Sequence, residues 1–258
     1  MDTLVKQNPA APDGFFESEA AGLRWLAEAA AAGGARVAAV VGVGPGRIEL
    51  QRIHAARATP AAARAFGAAL ARTHDAGADA FGAPPAGWSG PGFIGSRPQA
   101  YAHEASWGAF YARDRVLPFL ELAIGAGSVT GAEARGIREA CELMAGGAFD
   151  DDEPPARIHG DLWNGNLLWD DAGGVLIDPA AHGGHRETDL AMLALFGAPH
   201  LDEIVAGYES THPLRRGWRD RIPLHQLHPL AVHAASYGRG YGVELADAAR
   251  RTLALPGR

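Results

Sequence analysis

The sequence predicts an α+β fold in two lobes, a small β-rich one followed by a mainly helical one, and three observations carry that reading. Near the N-terminus, apolar runs at residues 37–43 and 47–53 flank Gly44-Pro45-Gly46, the pattern of two strands joined by a turn. From Thr59 onward the apolar residues recur at helical spacing. Within the helical part, Leu167-Leu168-Trp169 and Val175-Leu176-Ile177 bracket Asp170-Asp171-Ala172-Gly173-Gly174, which predicts one further hairpin.

Taken in order, Thr3-Leu4-Val5-Lys6-Gln7 reads as a short strand and residues 9–14 as a loop. Residues 15–32 form a predicted helix, with Asp13 near its start, Gly33-Gly34 at its end, and Phe16, Leu23 and Leu26 on its apolar face. Gly42-Val43-Gly44-Pro45-Gly46 superficially resembles a phosphate-cradling loop but lacks the spacing of the common glycine motifs, so it is read as a hairpin turn. Helices follow at 60–74, 102–126, 131–145, 187–195, 201–210, 219–237 and 243–255. The Gly- and Pro-dense stretch 82–99 is a long loop of the kind that often carries function. Asp150-Asp151-Asp152-Glu153-Pro154-Pro155 reads as a solvated linker. The boundary between lobes falls after His54, giving residues 1–54 and 55–258. At that junction the extended Gln51-Arg52-Ile53-His54 can present backbone N–H and C=O groups to the edge of a base, as ligand clefts between domains often do.

Composition narrows the function classes. The chain has 258 residues, 47% hydrophobic, enough for a sizeable core. A net charge of -7 argues against a general nucleic-acid binder. Met1-Asp2-Thr3-Leu4-Val5-Lys6 has no apolar signal core, and no run approaches the roughly 18 apolar residues needed to span a membrane, so a cytoplasmic protein is expected. The single cysteine, Cys141, excludes an intramolecular disulfide framework and reads as helix packing. Lys6 is the only lysine among 23 basic residues, so a chain that otherwise uses arginine keeps an ammonium there.

The chemistry concentrates in His159-Gly160-Asp161-Leu162-Trp163-Asn164-Gly165-Asn166 and in Asp178, which closes the predicted hairpin. An acidic residue, an amide five positions on and a carboxylate at a strand end follow the order of the catalytic loop and metal-binding Asp of kinase-like folds. Asp161 is the candidate proton acceptor for an attacking hydroxyl. Asn166 and Asp178 offer the hard oxygens that Mg²⁺ prefers when it is shared with ATP phosphates. Turn chemistry alone explains Asp170 and Asp171, but not this ordered set. Such a site needs a cation on the phosphates and a carboxylate to aim it: Lys6 and Glu19 are the candidates. Glu17 competes for the second role, but Glu19 shares the buried stripe with Leu23. Trp163 offers a flat apolar face to a sugar or ligand ring, with core packing the alternative. His182 and His185 lack a third ligand nearby and read as loop hydrogen-bonders.

These residues resemble the fructosamine kinases (ketosamine 3-kinases), relatives of the aminoglycoside phosphotransferases within the protein-kinase-like superfamily. The resemblance covers nearly the whole chain. It includes Phe16-Glu17-Ser18-Glu19-Ala20-Ala21-Gly22-Leu23, the loop Phe93-Ile94-Gly95-Ser96-Arg97-Pro98-Gln99, Trp107 with Phe110-Tyr111 and Arg115, residues 159–166, and Ile177-Asp178-Pro179-Ala180 continuing to Gly184-His185-Arg186-Glu187 and Asp189-Leu190-Ala191. It implies a protein-kinase-like two-lobed fold. It further implies Asp161 as catalytic base, Asn166 and Asp178 on Mg²⁺, and Lys6 on ATP with Glu19 orienting it; beside these, Gln51, Arg52 and Ile53 are the candidates along the nucleotide, and Trp163 and His159 those on the substrate side. The implied reaction moves the ATP γ-phosphate to the 3-hydroxyl of a ketosamine, free or on a glycated protein lysine, a repair role. An aminoglycoside or other amino-sugar kinase, or a nucleotide-binding pseudokinase, is the alternative. Family members place two strands and a phosphate-covering loop ahead of the strand lysine, whereas Lys6 stands almost at the N-terminus. The expectation is either a start upstream of Met1 or a truncated small lobe with an unpaired sheet edge and weak or no catalysis.

Overall fold

The computed structural model describes residues 2–256. The small lobe runs β1 (Thr3–Gln7), α1 (Phe15–Ala27), β2 (Arg36–Val37), β3 (Val40–Gly44) and β4 (Arg47–Gln51). The large lobe runs α2 (Pro60–Asp75), β5 (Phe93–Ile94), β6 (Arg97–Pro98), α3 (Trp107–Phe110), α4 (Leu117–Gly125), α5 (Gly131–Ala145) and β7 (Ala156–Ile158). It continues with β8 (Leu167–Asp170), β9 (Gly173–Leu176), β10 (His182–Gly184), α6 (Arg186–Phe196), α7 (Leu201–Thr211), α8 (Trp218–Tyr237) and α9 (Arg239–Leu253). Among the described residues no helix is long and apolar enough to cross a membrane.

Strands β1, β4 and β3 form an antiparallel sheet in that order, with Lys6 opposite Ile48. Ile48 and Leu50 of β4 are buried while Arg47 is exposed, the alternation a one-sided strand requires. They pack on Phe16, Ala20 and Leu23 of α1, which share one helix face. The predicted helix 15–32 keeps α geometry only to Ala27; Glu28–Ala32 tighten into a 3-10 turn closed by Gly33 at φ 78°.

The predicted strand over residues 37–43 is divided. β2 leaves the small sheet and lies parallel to β9, with Arg36 opposite Val175 and Val37 opposite Leu176. Arg36 fixes this seam with a two-pronged contact to Asp170, at 2.6 and 2.8 Å. Asp170 therefore both shapes its turn, accepting from Ala172 N, and holds the small lobe. β3 begins only at Val40, and a register shift follows before Gly42.

Helix α5 spans residues 131–145 as read from the sequence, and Thr130 and Glu133 close a capping box at its start. The predicted helix 102–126 begins later, at Trp107, because Ser106 caps it through Ala109 N, and Tyr111–Val116 form a π-turn between α3 and α4. Cys141 is buried in the helical core beside Ile137 and Met144.

The acidic stretch 150–153 corrects the expectation of a solvated linker. Asp150 accepts from Ser106 Oγ at 2.6 Å and Gly108 N at 2.7 Å. Asp151 lies 3.1 Å from Arg215 Nη1 and 3.4 Å from His185 Nε2, and Glu153 accepts from Arg186 Nε at 2.8 Å. Local sequence shows a run of like charges; the partners that neutralise it come from distant segments.

Helices α2 and α7 cross at two glycines. A Cβ at Gly67 would overlap the Ile204 carbonyl oxygen, and one at Gly207 would overlap that of Arg64. Neither obstacle is a flexible side chain, so relief requires the helices to part. Gly67→Ala is expected to lose about 1–3 kcal/mol of stability by overpacking. Chemical denaturation measures this, and an unchanged midpoint would contradict the close crossing.

Candidate active site

The segment between β7 and β8 is held from below by a buried network. Asp189, near the start of α6, accepts from His159 N at 2.7 Å, Gly160 N at 3.0 Å and His74 Nε2 at 3.1 Å. His74 Nδ1 meets the Tyr208 hydroxyl at 2.7 Å, which accepts from Arg186 Nη1 at 3.1 Å. Burial keeps the His74 imidazolium disfavoured, so Nδ1 accepts and Nε2–H donates. These bonds outweigh the burial cost at Asp189 and hold its carboxyl below the ordinary range. Gly160 sits at φ 80° with Ala180 O where a Cβ would project, so the backbone doubles back there only because the residue is glycine.

His159 corrects its assignment to the substrate side. Its side chain is buried, Nε2 lies 2.8 Å from Ile177 O, and Nδ1 accepts from Asp161 N at 3.2 Å. Both ring nitrogens are thus spent on fixing the backbone, at Asp161 itself and at Ile177, which precedes Asp178. Trp163 projects outward, 41% exposed, with its ring 6.1 Å from that of Phe196. His182 is buried with Nδ1 on Ala180 O at 2.8 Å, and His185 reaches Asp151.

The hairpin β8–β9 brings Asn166 and Asp178 to one end, where Ile177 N donates to Asn166 O at 3.1 Å. Asn166 Nδ2 donates to the Asp161 carbonyl at 2.8 Å and to Asp161 Oδ2 at 3.0 Å. That leaves Asn166 Oδ1 as the atom able to hold a cation. Asp178 adopts φ 52°, a left-handed conformation uncommon outside glycine, and this turn sends its carboxylate toward the small lobe. There Lys6 Nζ lies 2.7 Å from Asp178 Oδ1 and 2.7 Å from Glu19 Oε1. Burial works against the Lys6 ammonium, but the two carboxylates outweigh it and hold the pKa above the ordinary lysine value.

Lys6, Glu19, Asp161, Asn166 and Asp178 all line one cavity of about 400 Å³ between the lobes. Burial pushes the Asp161 carboxyl up to about 7, against the opposing hydrogen bond from Asn166 and with the help of Asp178 and Asp189. Its proton affinity is thereby matched to a proton acceptor working near neutrality. Asn166 Oδ1 and Asp178 Oδ2 are hard donors on the same wall, a set that fits Mg²⁺. Gln51, Arg52 and Ile53 do not line this cavity. Gln51 N donates to Ala39 O and Arg52 N to Asp2 O, so the two backbone donors expected to face a base are engaged within the small lobe.

Residues 1–254 match the sequence profile of the fructosamine kinases. The chain belongs to that family. A crystal structure from Thermobifida fusca, provisionally assigned as a fructosamine-3-kinase, is 46% identical with a TM-score of 0.90, covering 98% of this chain and 86% of its own. Among curated relatives, a provisionally assigned ketoamine kinase of Enterococcus faecium is 32% identical over 70% of this chain. The ketosamine-3-kinase of Mus musculus is 34% identical over 57% of it. These matches span 64% and 47% of the two relatives' lengths. Structures of an aminoglycoside phosphotransferase, at 16–19% identity and TM-scores of 0.57, share the fold. Within this fructosamine kinase chain the residues that residue-by-residue reading missed as site-builders are His74, Tyr208 and Asp189; only Asp189, in the Asp189-Leu190-Ala191 motif, carried a signal.

Proposed function

We propose that this chain transfers the γ-phosphate of ATP to the 3-hydroxyl of a ketosamine, a deglycation repair reaction, with Asp161 as the proton acceptor. The observation that carries the reading is the convergence of Asp161, Asn166, Asp178 and the Lys6–Glu19 pair on one cavity, in a chain of the fructosamine kinase family. Lys6 steadies the phosphates, and Glu19 keeps its ammonium in place. Asp161 accepts the hydroxyl proton as that oxygen bonds to the γ-phosphorus and the bond to ADP breaks. Asn166 Nδ2 fixes Asp161 Oδ2, leaving the other carboxylate oxygen to face the hydroxyl. Asn166 Oδ1 and Asp178 Oδ2 would hold Mg²⁺, which would neutralise phosphate charge. Trp163 gives the sugar a flat wall. The nucleotide base extends from this cavity toward Gln51, Arg52 and Ile53.

The test measures ADP release with fructosyl-lysine and with an aminoglycoside. Phosphorylated fructosyl-lysine is the expected product, and a chelator of divalent cations is expected to abolish it. Preference for the aminoglycoside would reassign the substrate, and ATP binding without turnover on either would make the chain a pseudokinase.

A further inference from the structure

On the far side of Asp161 lies a second, narrow recess lined by Ile94, Met192, Val232 and His233. His233 belongs to a continuous run of rings. Trp163 and Phe196 are 6.1 Å apart, Phe196 and His233 4.8 Å, His233 and Tyr237 5.3 Å, and His233 and Tyr241 5.0 Å between centroids. The run leaves the catalytic loop at Trp163, whose backbone N donates to Asp161 O, and climbs the end of α8. Among the described residues, Trp163 at 41% and Tyr237 at 72% are the exposed aromatic side chains, and both belong to it.

None of these rings carries a cation of the protein's own. Among the described residues the arginine–ring contacts are Arg115 over Phe110, Arg157 over Trp25 and Arg219 over Trp218. Two arginines do reach this end of α8, and both are spent on protein acceptors: Arg97 on Ser236 Oγ and Ala235 O, Arg239 on Ser128 O and Glu133. His233 adds no charge of its own, since Nδ1 donates to Pro229 O and burial disfavours the imidazolium. Nε2 is then an acceptor. A row of aromatic faces and one imidazole lone pair, starting beside the proton acceptor, attracts a cation that can also donate an N–H.

We propose that this aromatic run is the subsite for the protonated secondary amine of the acceptor and the first methylenes of the chain it is attached to. The inference rests on the ketosamine reading and names what that reading leaves open: a carrier recognised by its charge and alkyl chain. Sugar and amine then bind on successive parts of one path, with Asp161 and Trp163 at the sugar end and Tyr237 and Tyr241 at the carrier end.

Two acceptors test it, N-butyl fructosamine and its N-acetyl counterpart, which keeps the sugar and chain but loses the charge. The native protein is expected to show a lower KM for the cationic acceptor. Tyr237→Leu, at an exposed position, is expected to raise that KM about two- to five-fold, the reach of an exposed cation–π contact, with kcat and the N-acetyl KM unchanged. Tyr237→Phe keeps the ring face and restores the native KM. Equal KM values for both acceptors in the native protein, or equal losses on both in Tyr237→Leu, would overturn the inference. Calorimetric binding of the same pair separates the two claims: preference for the cation without phosphorylation sinks the kinase reading alone, and binding without preference sinks the subsite.

Discussion

Changing Asp161 to asparagine is expected to slow phosphoryl transfer by roughly 10²–10⁴-fold, the usual worth of a positioned proton acceptor. The same change is expected to make the protein harder to unfold at alkaline pH. In the unfolded chain an aspartate releases its proton near about pH 3.9, whereas in the fold Asp161 holds it to about 7 because it is buried. Between those values the folded state binds a proton that the unfolded state does not, so the stability contributed by Asp161 is complete below the lower value and is lost as pH rises through the upper one. Asparagine does not titrate. Its advantage therefore grows from acid to neutral pH and levels off above, bounded by about 4 kcal/mol for three units. Urea unfolding of both proteins at pH 5 and pH 8 measures it; a difference independent of pH would show that the carboxyl is ordinary. The native protein's kcat/KM should also fall on the acid side of about pH 7.

Removing Asp189 should cost about 3–5 kcal/mol of stability, since each buried donor left without its acceptor costs about 1–3 kcal/mol. Three donors lose their acceptor together: the His159 and Gly160 amides and the His74 ring. The first two belong to the catalytic loop, so Asp189→Ala should abolish activity even in the fraction that stays folded. Asp189→Asn retains an amide oxygen for one or two of these donors and should lie between. Thermal unfolding together with activity per folded molecule gives the result, and a loss below about 1 kcal/mol, within the ordinary range for surface positions, would remove the network from its supporting role.

The parts of the site that could be read from residues alone are those whose spacing is local. Asn166 and Asp178 flank a short hairpin, so period and turn chemistry place them together, and Glu19 shares a helix face with Leu23. Lys6 stood out because it is the only lysine in the chain. What escaped the reading depends on contacts across more than a hundred residues. His74 and Tyr208 are 134 positions apart, as are Arg36 and Asp170, and no local pattern links them. The inward turn of His159 is not legible in the motif, because a loop motif gives residue order but not which side chains turn inward. The acidic stretch 150–153 looks solvated in the sequence for a related reason, since its charges find their partners only in His185, Arg186 and Arg215.

The pairing of β2 with β9 has one more effect. Leu176 is hydrogen-bonded to the first lobe, through Ala38 N, two residues before Asp178. A rocking movement of the small lobe on the large one therefore drags the strand that leads into this carboxylate, so the lobe carrying Lys6 and the loop carrying Asp178 travel as one jaw. Melting should accordingly be a single cooperative event, because neither half can loosen without tearing a strand from the other's sheet.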